Sequence, residues 1–117
     1  MTMSIKRFEI WLATLDPAFG TEAGKTRPVV VVQTDLLNAI HPSTLVCPLT
    51  TNVIKDTQFL RVNIAKGVAS LNEDSAIMID QLRAIDNRRL IKKIGMLPTE
   101  IAEQVKENLI IILDLDV

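Results

Sequence analysis

The run Pro28-Val29-Val30-Val31-Val32-Gln33 leaves a folding chain little choice. Four consecutive β-branched apolar residues do not alternate, so a strand here has to be covered on both faces. Proline is acceptable at its head, where no ladder donor is needed. A sheet built round such a strand carries packed material on each side. The remaining sequence supplies it: 14 Ile, 10 Val and 10 Thr among 117 residues favour strands over most of the length.

Glu9–Leu15 alternates imperfectly and ends at Asp16-Pro17, which reads as a first strand and a turn. Leu45–Thr50 is a third strand, with Pro48 suggesting an edge or a bulge. Phe59–Ile64 alternates and stops at Lys66-Gly67, making a fourth, and Ser75–Asp80, Ala84–Asp86 and Leu90–Gly95 add further short strands. The period then changes. Leu97-Pro98-Thr99 offers a helix start with Thr99 as N-cap, and Glu100 and Glu103 suit the positive end of the helix. Ile101, Val105, Leu109 and Ile112 fall on one helical face, while Leu109–Leu113 is apolar all round and needs cover from the barrel or a second subunit. At this length one domain, 1–117, is the expectation, and pairing two copies buries more core.

Composition removes several function classes. No stretch of about 18 or more uncharged apolar residues is present, so a helical membrane span is not expected, and the opening residues contain no apolar signal-peptide core. Cys47 and His41 are single representatives, too few for a disulfide framework or a zinc cluster within one chain. The expectation is a reduced, cytoplasmic, metal-free domain. Cys47 lies in an apolar strand and reads as a packing residue. Three Phe, one Trp and no Tyr exclude a stacking sheet of the RRM kind. Net charge is -1, yet residues 82–93 set Arg83, Arg88, Arg89, Lys92 and Lys93 against Asp86 alone, while residues 99–117 are acidic. The basic stretch suits either phosphate binding or a solvated hairpin surface.

One constellation stands out. Residues 16–27 form a loop about twelve residues long, and loops of that length are usually functional or disordered. Gly20 and Gly24 permit positive φ or close approach, and Pro28 biases Arg27 toward extended geometry. A fixed guanidinium is a planar fork matched to phosphate. The alternative is a surface ion pair between Glu22 and Arg27.

Taken in order, Lys6-Arg7, Ile10-Trp11, Gly20-Thr21-Glu22, Gly24, Arg27-Pro28, Cys47-Pro48-Leu49-Thr50, Asp80-Gln81-Leu82-Arg83-Ala84-Ile85-Asp86 and Ile94-Gly95-Met96-Leu97-Pro98 resemble the PemK/MazF family of toxin endoribonucleases. The resemblance spans nearly the whole chain and departs at Phe8-Glu9, where the family commonly has Gly-Asp. It implies a mainly β fold with a C-terminal α-helix, a CcdB/PemK-like, SH3-like barrel, acting as a homodimer. It also implies metal-independent, sequence-specific cleavage of single-stranded RNA to 2',3'-cyclic phosphate and 5'-OH ends, with no cofactor. The implied partners are RNA and a cognate PemI/MazE-like antitoxin, with DNA met only through the toxin-antitoxin complex.

The family motif puts Arg27 and Thr50 at the active site. Arg27 fits stabilisation of phosphorane charge, and Thr50 can donate to a nonbridging oxygen. Arginine is a poor base at neutral pH, so Glu22 is the better candidate for taking the 2'-OH proton. His41 matches no catalytic position of the family and reads as a bystander. Thr21, Lys25, Asn52, Gln81 and Arg83 carry heads suited to bases and phosphates, and Phe19 either stacks on a base or plugs the core. Two other classes remain open at this point: a gyrase-poisoning CcdB-like toxin, which needs no Arg-Thr pair, and a catalytically silent SH3-like binding module, which has no reason to hold Glu22, Arg27 and Thr50 together.

Overall fold

The computed structural model describes residues 4–54 and 60–116. Among these the chain forms β1 (Glu9–Thr14), β2 (Thr26–Val31), β3 (Ser43–Thr50), β4 (Arg61–Ile64), β5 (Ser75–Met78), β6 (Arg83–Asp86), β7 (Leu90–Met96) and α1 (Thr99–Ile112). The strand order is β4-β5-β3-β2-β1-β7, with β6 also paired to β3, and the pairs are antiparallel. This is the mainly β fold with a terminal helix that the sequence suggests.

Three of the four valines behave as the pattern requires, while β2 ends at Val31 and Val32, half-buried, lies just beyond it. Val29, Val30 and Val31 are fully buried. Val30 joins Ile10, Cys47, Leu49, Ile77 and Val105 in a core on the helix side. Its neighbours Val29 and Val31 join Trp11, Ala13, Val46 and Ile85 in a second core. Each such side chain contributes about 1.5–3 kcal/mol relative to exposure, which explains why no polar residue interrupts the run.

β3 is the strand that bends the sheet. One edge pairs with β2. The other pairs Ser43–Val46 with β6 and Leu49–Thr50 with β5. Pro48 therefore sits in a central strand rather than at an edge. It is tolerated because it falls where the second edge changes partner and faces no ladder residue of β5 or β6.

Several boundaries differ from the sequence reading. β2 begins at Thr26, so Pro28 lies inside the strand rather than at its head, and Thr26 and Arg27 belong to the strand rather than the loop. Ser75–Asp80 ends as a strand at Met78, and Ile79–Gln81 turns as a 3-10 helix. Phe59, the expected start of the fourth strand, lies outside the described residues, and β4 begins at Arg61. The N-cap of α1 is Pro98, not Thr99. Pro98 holds extended geometry (φ -61°, ψ 155°), and its carbonyl accepts from Ala102 N at 3.0 Å. Thr99 is thus already inside the first turn and makes no cap. α1 packs Ala102 and Val105 into the helix-side core with Ile101, Leu109 and Ile112 beside them, while Ile111, Leu113 and Leu115 are exposed.

At the Phe8-Glu9 departure, Phe8 adopts φ 69° and Glu9 is buried. Glu9 Oε1 accepts from Lys6 N at 2.7 Å and Trp11 Nε1 at 3.1 Å, and Oε2 meets Lys93 Nζ at 2.8 Å. Burial opposes ionisation of this carboxyl. The bonds from Lys93, Trp11 and Lys6 outweigh it and hold the group below the usual carboxylate value.

Candidate active-site groove

The β2–β3 register pairs Val31 with Val46, Val30 with Cys47 and Val29 with Pro48. Two residues further along the same register stand Arg27 and Thr50. Neither Pro28 nor Pro48 can donate a ladder bond, and the Arg27 side chain bridges the gap. Its Nε donates to Gly24 O at 2.7 Å and its Nη1 to Leu49 O at 3.2 Å. Three of the five guanidinium N–H donors keep no partner among the described residues. Thr50 Oγ1 accepts from Asn52 N at 3.1 Å, so its own proton is available to another acceptor. Arg27, Thr50, Lys25 and Asn52 line one groove of about 400 Å³.

The loop between β1 and β2 is built to hold this arrangement. Gly20 has φ +60°. At Gly24 a Cβ would come within 2.6 Å of Asp16 Oδ1 and 2.9 Å of Ala18 Cβ, so only glycine fits. The same Asp16 oxygen accepts from Lys25 N at 2.7 Å. Gln81 pins the loop from outside: Oε1 accepts from Ala23 N and Nε2 donates to Thr21 O, both at 3.1 Å. Arg83 Nη1 adds a bond to Ala23 O at 3.3 Å. Gln81 and Arg83 are thus tied to the loop backbone and do not line the groove.

Of the remaining residues singled out by sequence, Thr21 is exposed on the loop and Phe19 is 86% exposed, so it plugs no core. Glu22 is exposed as well. Its Oε1 accepts from Phe19 N at 2.8 Å, and no Glu22–Arg27 ion pair forms. Glu22 does not line the groove, although its loop supplies Gly24 and Lys25. His41 lies in the β2–β3 connection with Nδ1 against Ser43, away from the groove. Cys47 is buried, and desolvation, with a smaller contribution from Asp80, pushes its thiol up to about 12. A thiolate nucleophile is unavailable there. Thr26, Thr51 and Ser75 line the groove without having been singled out. Ser75 could not have been, since only the β3–β5 pairing brings it beside Thr50.

The basic stretch 82–93 is not a free phosphate-binding face. Arg88 pairs with Asp86 and holds that carboxyl at about 2, Arg89 donates to Thr14 O and Asp16 O, and Lys93 serves Glu9. Of its five cations, Lys92 alone has no partner among the described residues.

Among the described residues no group of three or more His, Cys, Asp or Glu could hold a metal ion, and no helix is long and apolar enough to cross a membrane. Residues 6–113 match the family described as PemK-like, MazF-like toxin of type II toxin-antitoxin system. Endoribonuclease EndoA of Bacillus subtilis (strain 168) is 36% identical over 107 residues, 92% of each chain. Among solved structures, Mycobacterium tuberculosis toxin MazF-mt6 superposes with a TM-score of 0.78 at 26% identity, covering 93% of this chain and 99% of its own. MazF from Deinococcus radiodurans gives 0.82 at 20% identity over 95% and 97% of the two chains, a likeness of fold.

Proposed function

The chain belongs to the PemK-like, MazF-like family of toxins from type II toxin-antitoxin systems and is an endoribonuclease of that family, and we propose that it cuts single-stranded RNA without a metal in the Arg27–Thr50 groove. The observation that carries this reading is the fixed guanidinium: two N–H groups are bonded to Gly24 O and Leu49 O, and three are left for a ligand.

The reaction has the ribose 2'-OH attack its own phosphate. The 2'-O–P bond forms, the P–O5' bond breaks, the departing 5' oxygen takes a proton from water, and the products are a 2',3'-cyclic phosphate and a 5'-OH. Charge accumulates on the nonbridging oxygens in the phosphorane. Arg27 meets that charge with donors already oriented, which is where electrostatic catalysis is strongest. Thr50, its oxygen held by Asn52 N, donates a hydrogen bond to a nonbridging oxygen. The 2'-OH proton passes through a bridging water to Glu22, which stands outside the groove on the loop that anchors Arg27 and whose Oε2 has no partner among the described residues. Lys25 and Asn52 contact the RNA within the groove, Thr21 and Phe19 contact it from the loop, and Gln81 and Arg83 keep that loop in place.

The partners in this reading are RNA, a second copy of the chain and a cognate PemI/MazE-like antitoxin, with the protein acting in the cytoplasm as one domain. Exposed Ile111, Leu113 and Leu115 at the end of α1 support self-association. A gyrase-directed toxin or a silent binding module would have no use for a guanidinium held this way.

The test is incubation of the purified protein with mixed-sequence RNA in EDTA. Cleavage leaving 5'-OH ends is the expected result. Cleavage that disappears in EDTA and returns with magnesium overturns the mechanism.

A further inference from the structure

A second concavity, of about 530 Å³, opens directly beside the Arg27–Thr50 groove and shares the walls Pro28, Thr51 and Ser75 with it. Its size falls in the range of about 300–1,000 Å³ typical of small-ligand sites. Leu12, Leu71 and Ile94 give it an apolar floor, while Asn72, Glu73 and Lys92 bring an amide, a carboxylate and an ammonium to its rim. None of these three side chains has a hydrogen bond or ion pair among the described residues. Lys93, on the same wall, is already taken by Glu9.

The wall carrying Asn72 and Glu73 is held in an unusual conformation. Ala69 and Ser70 stand at φ 52° and 64°, where L side chains are uncommon. The Ala69 carbonyl lies against Gly95 of β7, in space a Cβ would occupy. Asn72 and Glu73 on this braced segment and Lys92 on β7, all unpaired, stand over the apolar floor and form a site with an apolar face, a hydrogen-bonding edge and a cation.

We propose that this concavity binds a nucleotide flanking the scissile phosphate and selects guanine there through Glu73. The proposal rests on the RNA-cleaving reading of the groove. A carboxylate offers two adjacent acceptors and no donor. Among the four bases only guanine presents two adjacent donors, N1–H and the N2 amino group, on its Watson–Crick edge. The base face lies on Leu12, Leu71 and Ile94, Asn72 bonds to the remaining base-edge groups, and Lys92 meets the neighbouring phosphate. Uracil, with a single donor between two acceptors, sets a carbonyl against the carboxylate and is rejected.

The experiment is cleavage of an RNA pool with randomised positions, read by sequencing product ends, for the wild-type protein, Glu73→Gln and Lys92→Ala. The wild type should favour guanine at one flanking position, and Glu73→Gln should reduce that preference about tenfold, on the scale of losing a bidentate base contact. Lys92→Ala should weaken binding of a 2'-O-methyl RNA evenly across sequences and flatten the salt dependence by about one phosphate contact. Cleavage with the same base profile in all three proteins overturns the subsite. So does an altered sedimentation of either variant with the profile intact, which would put a second chain in the concavity. If the wild type cuts no member of the pool, the reading of the groove itself fails and the subsite goes with it.

Discussion

Arg27 Nη1 donates to the carbonyl of Leu49, the residue immediately before Thr50, and so a side chain completes a β-ladder that two prolines leave open. The bond does two jobs. It closes the end of the β2–β3 pairing, and it fixes the guanidinium in the groove that Thr50 also lines. Fold and site meet at this contact, which makes Arg27 the sharpest place to test both.

Arg27→Ala should lower the single-turnover rate by about 10²–10³, the range for losing one transition-state donor. Arg27→Lys should recover little of it. An ammonium keeps the charge but cannot bond Gly24 O and Leu49 O while still presenting two donors in a plane. Single-turnover cleavage of a short RNA measures all three proteins. A lysine variant within about threefold of wild type would show that charge alone matters.

Much of this was legible beforehand, and the reasons are local. The valine run, the Gly20 and Gly24 loop and the Arg27-Pro28 step each carry their constraint within a few residues, and the structure keeps them, with the buried strand ending at Val31 rather than Gln33. What escaped the sequence depends on contacts between distant segments. Gln81 reads as an RNA contact because its amide is polar, but its partners are 58 and 60 positions away in the loop. The basic stretch reads as one patch because its charges are adjacent in sequence, whereas tertiary partners such as Asp16 and Glu9 disperse it. Thr99 reads as an N-cap by residue type, while the geometry of Pro98 moves the cap back by one position.

Gln81→Leu should loosen the 16–25 loop by removing two neutral hydrogen bonds, each contributing about 0.5–1.5 kcal/mol. The global fold should survive, since the bonds tie a loop rather than the core. Limited proteolysis should nick the loop faster, and RNA cleavage should fall by more than any change in melting temperature suggests. Unchanged nicking together with unchanged cleavage would remove Gln81 from the support of the site.

If Glu22 takes the 2'-OH proton, Glu22→Gln should slow cleavage and flatten the acidic limb of the pH–rate profile. His41→Ala should be nearly silent, because its ring faces Ser43 outside the groove. The pH–rate profiles of both variants decide the matter. An acidic limb that persists in Glu22→Gln assigns the proton to another group, and a limb lost in His41→Ala names that group.

Acid should weaken the fold partly through Glu9. Its carboxyl titrates below the ordinary value of 4.5 because the bonds from Lys93, Trp11 and Lys6 outweigh the cost of burial. A carboxyl with a lowered folded-state pKa contributes stability that is fully present above the unfolded value. That contribution is lost as pH falls from 4.5 through the folded value. Glu9→Gln keeps the shape but gives up the charge that Lys93 answers, so it should melt well below wild type at pH 7. At pH 3 the gap should narrow, since the wild-type carboxyl is then losing the same interaction. Asp35 and Asp86 are also lowered, but both are present in each protein and cancel in the difference. Thermal unfolding of the two proteins at pH 7 and pH 3 gives four melting temperatures. A gap of equal size at both pH values would mean that the Glu9 charge contributes nothing, and that the site holds the turn at Phe8 through shape and neutral hydrogen bonds alone.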